Sequence, residues 1–159
     1  MNSSSSPHLA NGSKKPEPVK NQGRLYSMKY CPFAHRVRLI LTLKQIPHDI
    51  VNINLQNKPD WYFQIHPEGK VPAYVDIDDK VVTDSVAIAN YLDQKYPMPP
   101  LYNDKTKNRD LELLDHFSKM DWLDEMKSQK FVEEHKCSYE KFAKFIEASK
   151  AGNIDYDNI

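Results

Sequence analysis

The pattern that most constrains the fold is a strand, a helix and a second strand in close succession. Residues Arg24 to Met28 and Asp49 to Asn54 are predicted strands, and Pro32 to Lys44 has the spacing of a helix. Strands joined in this way pair in parallel, with the helix as the crossover. The loop at Cys31 is then expected at the carboxyl end of the first strand, where α/β folds bind ligands.

The following segment extends this β-α-β unit with a hairpin and a second helix. A short helical turn is predicted at Asp60 to Gln64, and strands are predicted at Ala73 to Val75 and Lys80 to Val82. The turn at Asp78-Asp79 is so tight that these two strands must be antiparallel. With a closing helix at Ser85 to Lys95, four strands and two main helices make a compact α/β unit.

Composition divides the chain into four parts. Residues 1–22 are polar and rich in serine and proline, so we expect a disordered tail that cannot offset its own ordering entropy. The α/β unit occupies residues 23–96, and the prolines after Tyr96 make residues 97–104 a stiff linker. Residues 105–159 are predicted to hold two amphipathic helices, at Lys107 to Lys127 and Tyr139 to Lys150.

Charge and cysteine content exclude several classes of protein. The 22 basic and 22 acidic residues balance, so nucleic-acid binding is not expected. No run is apolar enough to span a bilayer, and a cytoplasmic location is expected. The two cysteines, Cys31 and Cys137, lie far apart, which suits a reducing compartment, and we expect Cys137 to be a spectator thiol. The histidines lack metal-ligand spacing, so no metal is expected.

The tetrapeptide Cys31-Pro32-Phe33-Ala34 has the form of a cysteine at a helix start. Proline suits the first helical position, which makes Cys31 the N-cap, with its sulfur facing the amides of Phe33 and Ala34. Free amides and the helix dipole stabilise a thiolate, so a lowered thiol pKa is expected. The alternative is a buried structural cysteine before an ordinary helix.

A second candidate region combines Val71-Pro72 with Asp84-Ser85. The peptide bond before a proline is the one that adopts the cis form at modest cost, and a cis bond here would turn the main chain of Val71 outward. Asp84 and Ser85 at a helix start offer amides and a hydroxyl to a carboxylate ligand. Simple N-capping by this pair is the alternative.

Four ordered motifs carry a resemblance to a known family. They are Tyr26-Ser-Met-Lys-Tyr-Cys31-Pro-Phe-Ala, Ile53-Asn-Leu-Gln-Asn-Lys58-Pro-Asp-Trp61, Gly69-Lys-Val-Pro72 and Asp84-Ser85. Over roughly Leu25 to Tyr96 the chain resembles an omega-class glutathione transferase. The resemblance implies an α/β plus all-α protein, in which a thioredoxin-like β-α-β-β-β-α domain precedes a helical domain.

The resemblance also implies roles for individual residues. Cys31 is expected to be the catalytic nucleophile that forms a mixed disulfide with glutathione, while Phe33 lines the thiol pocket and Leu55 contacts the ligand. Lys58 would bind the glycine carboxylate, and Val71, followed by a cis Pro72, would pair its main chain with the cysteinyl unit. Asp84 and Ser85 would hold the γ-glutamyl end, although the family more often has the longer Glu where this chain has Asp84.

The implied activity is glutathione-dependent reduction of a small disulfide or of dehydroascorbate. Ala34 stands where dithiol oxidoreductases carry a second cysteine, so a second glutathione must resolve the intermediate. The alternative function is a non-catalytic glutathione-binding or dimerisation module. A membrane-inserting protein of the intracellular chloride channel type is disfavoured because no segment is sufficiently apolar.

The C-terminal part is expected to be an incomplete helical domain. The family's domain has several more helices, which shape the site for the second substrate, whereas two are predicted here. Two helices alone would leave an apolar stripe uncovered. Either the chain is a fragment or an alternative product, or these helices pair with another chain, for example in a homodimer.

Overall fold

The computed structural model describes residues 6–102, 108, 144, 145, 147, 148, 151 and 152. Its strands and helices follow one another in the predicted order. They are β1 (His8–Leu9), β2 (Gly23–Ser27), α1 (Pro32–Leu43), β3 (His48–Ile53), a short 3-10 helix (Asp60–Gln64), β4 (Ala73–Val75), β5 (Val81–Thr83) and α2 (Ser85–Lys95).

The five strands form one mixed sheet in the order β1-β3-β2-β4-β5. Strands β2 and β3 pair in parallel around α1, whereas β4 is antiparallel to β2 and β5 is antiparallel to β4. The expected β-α-β-β-β-α order of a thioredoxin-like domain is therefore confirmed. The predicted elements agree with the structure to within one or two residues at each end.

Neighbouring residues of each strand pack on opposite faces of the sheet, as the pleat requires. Leu25 on β2 lies beside Ile50 and Tyr74 on the face covered by α1 and α2. Tyr26 faces the other way and packs with Tyr62 of the short helix, whose ring centroid lies 5.4 Å away. The core is thus split into two clusters, one on each face.

The described part of the segment before β2, residues 6–22, makes hydrogen bonds with the rest of the fold. Strand β1 pairs in parallel with the edge of β3, and the indole of Trp61 donates to the carbonyl of Ser13 at 2.8 Å. Arg24 also donates to two carbonyls of this segment, those of Pro16 and Glu17. Backbone hydrogen bonds to an exposed sheet edge stabilise a chain that has few apolar residues of its own.

The start of the predicted linker is held against the α/β unit by a buried lysine. The ammonium of Lys44, whose side chain is fully buried, donates to the carboxylate of Asp93 at 2.7 Å and to the carbonyls of Tyr96 and Pro99 at 2.7 and 2.6 Å. These three acceptors use all three donors of the ammonium. The linker therefore leaves the domain in a fixed direction.

The two predicted C-terminal helices fall mostly outside the described residues, as does Cys137. Residues 108, 144, 145, 147 and 148, which are described, are helical. Phe145 is half-buried and its ring stacks on Tyr30 with centroids 5.0 Å apart. No described helix is both long and apolar enough to cross a membrane.

Candidate functional site

The topology brings the predicted site residues to one edge of the sheet. Strands β2, β3 and β5 all run toward this edge, and the antiparallel β4 begins there. Cys31 follows β2, Lys58 follows β3, Val71 precedes β4 and Asp84 follows β5. Residues from four separate parts of the sequence therefore surround the start of α1.

Cys31 is the N-cap of α1, as the sequence predicted. Its backbone is extended, with φ −81° and ψ 116°, and Pro32 follows in the first turn. The thiol makes no side-chain capping hydrogen bond, and its sulfur instead lies 4.0 Å from the carbonyl oxygen of Val71. The amides of Phe33 and Ala34 at the start of α1 therefore interact with a sulfur, which is a weaker acceptor than the oxygen of a serine or aspartate cap.

The pKa of the Cys31 thiol is shifted upward, whereas the sequence analysis expected a downward shift. Burial raises this pKa above its usual value of 9.0, since the side chain is only 8% exposed and a thiolate there loses its water. The amides of Ala34 and Phe33 and the charge of Arg38 lower it, but by less. The helix start does favour the thiolate, as predicted, yet the burial outweighs it.

The apolar side of the site is formed by residues that the sequence analysis named. The bond between Val71 and Pro72 is cis, as expected, and both residues are buried. Leu55 is half-buried against the core cluster that contains Cys31. Phe33 is 50% exposed at the start of α1. An exposed ring beside a buried thiol offers an apolar surface to a ligand that reaches the sulfur.

The side chain of Lys58 lies against Gly69, and it can do so because residue 69 has no Cβ. Gly69 has φ +63°, and a Cβ there would come within 2.8 Å of Lys58 Cδ and of Phe63 Cε1. Glycine adopts this left-handed conformation without strain. Within residues 6–102, no carboxylate is paired with the Lys58 ammonium.

Asp84 and Ser85 form the start of α2 and are both engaged within the protein. The Oδ1 atom of Asp84 accepts hydrogen bonds from the amides of Val86 and Ala87 at 2.9 and 3.0 Å, so N-capping, the alternative considered above, does occur. The φ of Asp84 is 72°, an unusual value for a residue with a side chain. Conformations of this kind are concentrated at binding sites.

Two buried arginines at the site were missed by sequence reasoning. Arg36 donates to the hydroxyl of Ser85 at 2.8 Å, which joins the start of α2 to α1. Arg38 donates to Ser27 and Asn52 on the sheet. The sequence gives only a weak signal of their burial, which is the apolar run Val37, Leu39, Ile40 and Leu41 around Arg38, and it gives none of their partners on α2 and the sheet.

The described residues contain no group of three or more histidine, cysteine or acidic side chains that could hold a metal ion. The groups described at this edge are a thiol, the amides at the start of α1 and the side chains of Lys58 and Arg38.

Comparison with known proteins identifies the family of this domain. Residues 25–100 match the family described as the N-terminal domain of glutathione S-transferase. The chain is 43% identical over 123 residues to glutathione S-transferase omega-1 of Mus musculus. This alignment covers 76% of this chain and 51% of the mouse protein. It is 49% identical over 100 residues to pyrimidodiazepine synthase of Drosophila melanogaster, covering 60% of this chain and 41% of that protein.

The solved structures agree with this result. A glutathione S-transferase from Rhodospirillum rubrum superposes with a TM-score of 0.58 at 29% identity, covering 62% of this chain and 45% of that one. The chain spans about half the length of the curated relatives it matches, or less. Residues 25–100 of this chain are a glutathione S-transferase N-terminal domain, and its relatives include omega-class enzymes.

Proposed function

We propose that this chain is a glutathione-dependent thiol transferase that also reduces dehydroascorbate, with Cys31 as its nucleophile. The observation that supports this most is the position of the Cys31 sulfur, at the uncapped start of α1 and 4.0 Å from the Val71 carbonyl. A ligand thiol at this edge would meet the amides at the start of α1 and the carbonyl of Val71 beside the sulfur.

The reaction begins with the Cys31 thiolate attacking the glutathione sulfur of a mixed disulfide substrate. A sulfur–sulfur bond forms between Cys31 and glutathione, the substrate disulfide breaks, and the released thiolate takes up a proton. A second glutathione thiolate then attacks the glutathione sulfur, which frees Cys31 and forms glutathione disulfide. Ala34 cannot carry out this second step, because it has no thiol.

Dehydroascorbate is reduced with the same electron balance. Two glutathione thiols supply two electrons and two protons, and the products are ascorbate and glutathione disulfide. The Cys31 thiolate adds to a carbonyl carbon of dehydroascorbate, and one glutathione thiolate then attacks the Cys31 sulfur. This breaks the carbon–sulfur bond, releases ascorbate and leaves the Cys31–glutathione disulfide, which the second glutathione reduces. A small and polar oxidant suits a site in which one exposed ring, that of Phe33, is the apolar surface next to the sulfur.

The binding roles follow the charges of the side chains. Lys58 suits the glycine carboxylate of glutathione, and the main chain of Val71 suits the cysteinyl unit. Ser85 at the start of α2 suits the γ-glutamyl carboxylate, and Asp84 suits its ammonium. Asp84 must serve this ammonium while its Oδ1 atom caps α2.

The alternative is a module that binds glutathione without turning it over. The burial of Cys31 and the resulting rise in its pKa favour this alternative, because a protonated thiol is a poor nucleophile. Under this alternative the same fold would serve for binding or for dimerisation.

An activity assay separates the two functions. The full chain would be tested for reduction of a small mixed disulfide and of dehydroascorbate with glutathione as reductant, beside its Cys31→Ala variant. We expect activity in the full chain and only the uncatalysed background in Cys31→Ala. A Cys137→Ala variant is the matched control, and it should keep full activity.

Two results would contradict the proposal. One is activity that persists in Cys31→Ala. The other is a folded chain that binds glutathione, measured by calorimetry, but reduces neither substrate; that result would support the binding module.

A further inference from the structure

Arg38 is a buried cation that the reaction described above does not use. It is 4% exposed and lies between α1 and the sheet. Its Nε donates to the hydroxyl of Ser27 at 3.0 Å, and its Nη2 donates to Oδ1 of Asn52 at 2.7 Å. Ser27 and Asn52 are directly paired across β2 and β3, so they form a cradle at the edge where the site lies.

The hydrogen-bond partners of Arg38 in the described part of the chain are uncharged. Ser27 and Asn52 are neutral, and no described carboxylate binds this guanidinium. Arg24 offers a comparison within the same strand pair, since it is equally buried and binds both oxygens of Asp49. A buried charge is costly without a counterion, so Arg38 is a candidate for a functional role rather than a purely structural one.

The orientation of Arg38 directs its charge toward Cys31. Arg38 lies two turns after the N-cap Cys31, and helical side chains lean toward the N-terminus. Ser27, which holds the guanidinium, is the last residue of β2 and lies just before the Cys31 loop. Burial lowers the pKa of Arg38 to about 10, and the interaction with Cys31 raises it.

Arg38 is the charged side chain that lowers the pKa of Cys31. The titratable groups near the thiol are Arg38 and His35 on α1, Tyr62 on the short helix, Tyr26 on β2, and Lys29 and Tyr30 in the preceding loop. Burial also raises the pKa of Tyr62, so it disfavours a charge on this phenol as it does on the thiol.

We propose that Arg38 is the electrostatic partner of the Cys31 thiolate and that Ser27 and Asn52 hold it in place. This inference deepens the proposed function, because it names the group that favours the nucleophilic form of a buried thiol. Asn52 is oriented in turn by the segment before β2, since its Nδ2 donates to the carbonyl of Ser6 at 3.0 Å. Arg38 acts through Cys31 and is a positioning residue.

The test measures the reactivity of the thiol itself, without glutathione or turnover. The rate of alkylation of Cys31 by iodoacetamide would be followed against pH in a Cys137→Ser background. In Arg38→Met we expect the rate at neutral pH to fall about tenfold, because an opposite charge nearby typically shifts a pKa by one unit or more. Arg38→Lys, which retains the charge, should recover part of the rate.

A second variant cancels the charge while keeping the guanidinium. In Asn52→Asp a carboxylate replaces the neutral acceptor of Arg38, and we expect the alkylation rate at neutral pH to fall as it does in Arg38→Met. Loss of folding cannot produce this result, because an unfolded chain exposes Cys31 and alkylates faster. Near-ultraviolet circular dichroism would confirm that each variant is folded.

Arg24→Met is the matched control, since it removes an equally buried arginine with no electrostatic effect on the thiol. It should lower stability and leave the alkylation profile unchanged. An unchanged profile in folded Arg38→Met would overturn the inference and leave the proposed function standing. A shifted profile in a chain that lacks reductase activity would uphold the inference and contradict the proposed function.

Discussion

Two helices begin at the same edge of the sheet, and their N-termini are capped differently. At α2, the carboxylate of Asp84 accepts hydrogen bonds from two amides of the first turn. At α1, Cys31 occupies the same position, and its side chain makes no capping hydrogen bond. The N-terminus of α2 is thus capped by a carboxylate oxygen, whereas the N-cap side chain of α1 is a buried thiol.

This difference separates stability from reactivity. A carboxylate N-cap stabilises a helix by about 1 kcal/mol, which α1 forgoes at Cys31. The amides that a cap would occupy lower the pKa of the Cys31 thiol instead, although burial keeps it above its usual value. The cap at α2 therefore stabilises the helix, whereas the amides at the start of α1 favour the thiolate form of Cys31 against the effect of burial.

The hydrogen bond that joins the two helix starts gives the largest expected change in stability. In Arg36→Met, the buried hydroxyl of Ser85 loses its donor, and we expect the free energy of unfolding to fall by about 2 kcal/mol. Ser85→Ala should cost less. Urea denaturation of both variants and of the double variant gives the coupling energy, and strictly additive effects would show that this bond does not connect the two helices.

A cap substitution tests the closed start of α2. Asp84→Ala removes both capping bonds and should lower the free energy of unfolding by about 1 kcal/mol. Asp84→Gly removes the same bonds but suits the φ of 72°, so its cost should be smaller. Equal losses in the two variants, measured by urea denaturation, would mean that the backbone conformation of Asp84 carries no strain.

The charge of Asp84 can be separated from its capping role. Asparagine caps a helix as well as aspartate does, so Asp84→Asn should retain stability. Loss of the contact to the ligand ammonium should raise the KM for glutathione roughly fivefold, equivalent to about 1 kcal/mol. A KM equal to that of the parent chain would show that Asp84 only caps α2.

Alkaline pH gives the smallest expected effect. Because the pKa of the folded Cys31 thiol lies above its usual value of 9.0, its contribution to stability is complete below that pH and is lost as the pH rises through the folded pKa. The parent chain should therefore lose stability relative to Cys31→Ala under alkaline conditions. Parallel curves of unfolding free energy against pH would contradict the assigned direction of the shift.

Patterns of apolar spacing were sufficient to predict strands β2 to β5, helices α1 and α2 and the short 3-10 helix, but not β1. The Cys31-Pro32 helix start was also predictable, since it depends on the local preference of proline for the first helical position. The cis bond before Pro72 was expected from the family resemblance, because local preference alone favours the trans form.

Features that depend on long-range contacts were not predictable. The segment before β2 has few apolar residues, yet Arg24 and Trp61 bind its carbonyls across the fold. Arg36 and Arg38 would be read as surface residues, whereas they meet polar partners on α2 and on the sheet. The direction of the Cys31 pKa shift depends on the burial of the sulfur, which no local pattern specifies.

The central claim is that Cys31 carries glutathione as a mixed disulfide. The most direct test is to incubate the full chain with glutathione disulfide and to locate the adduct by intact mass and peptide mapping. We predict one glutathionyl group on Cys31, removed by reduced glutathione and absent from Cys31→Ala. A folded chain without an adduct at Cys31, or with its only adduct at Cys137, would contradict the account.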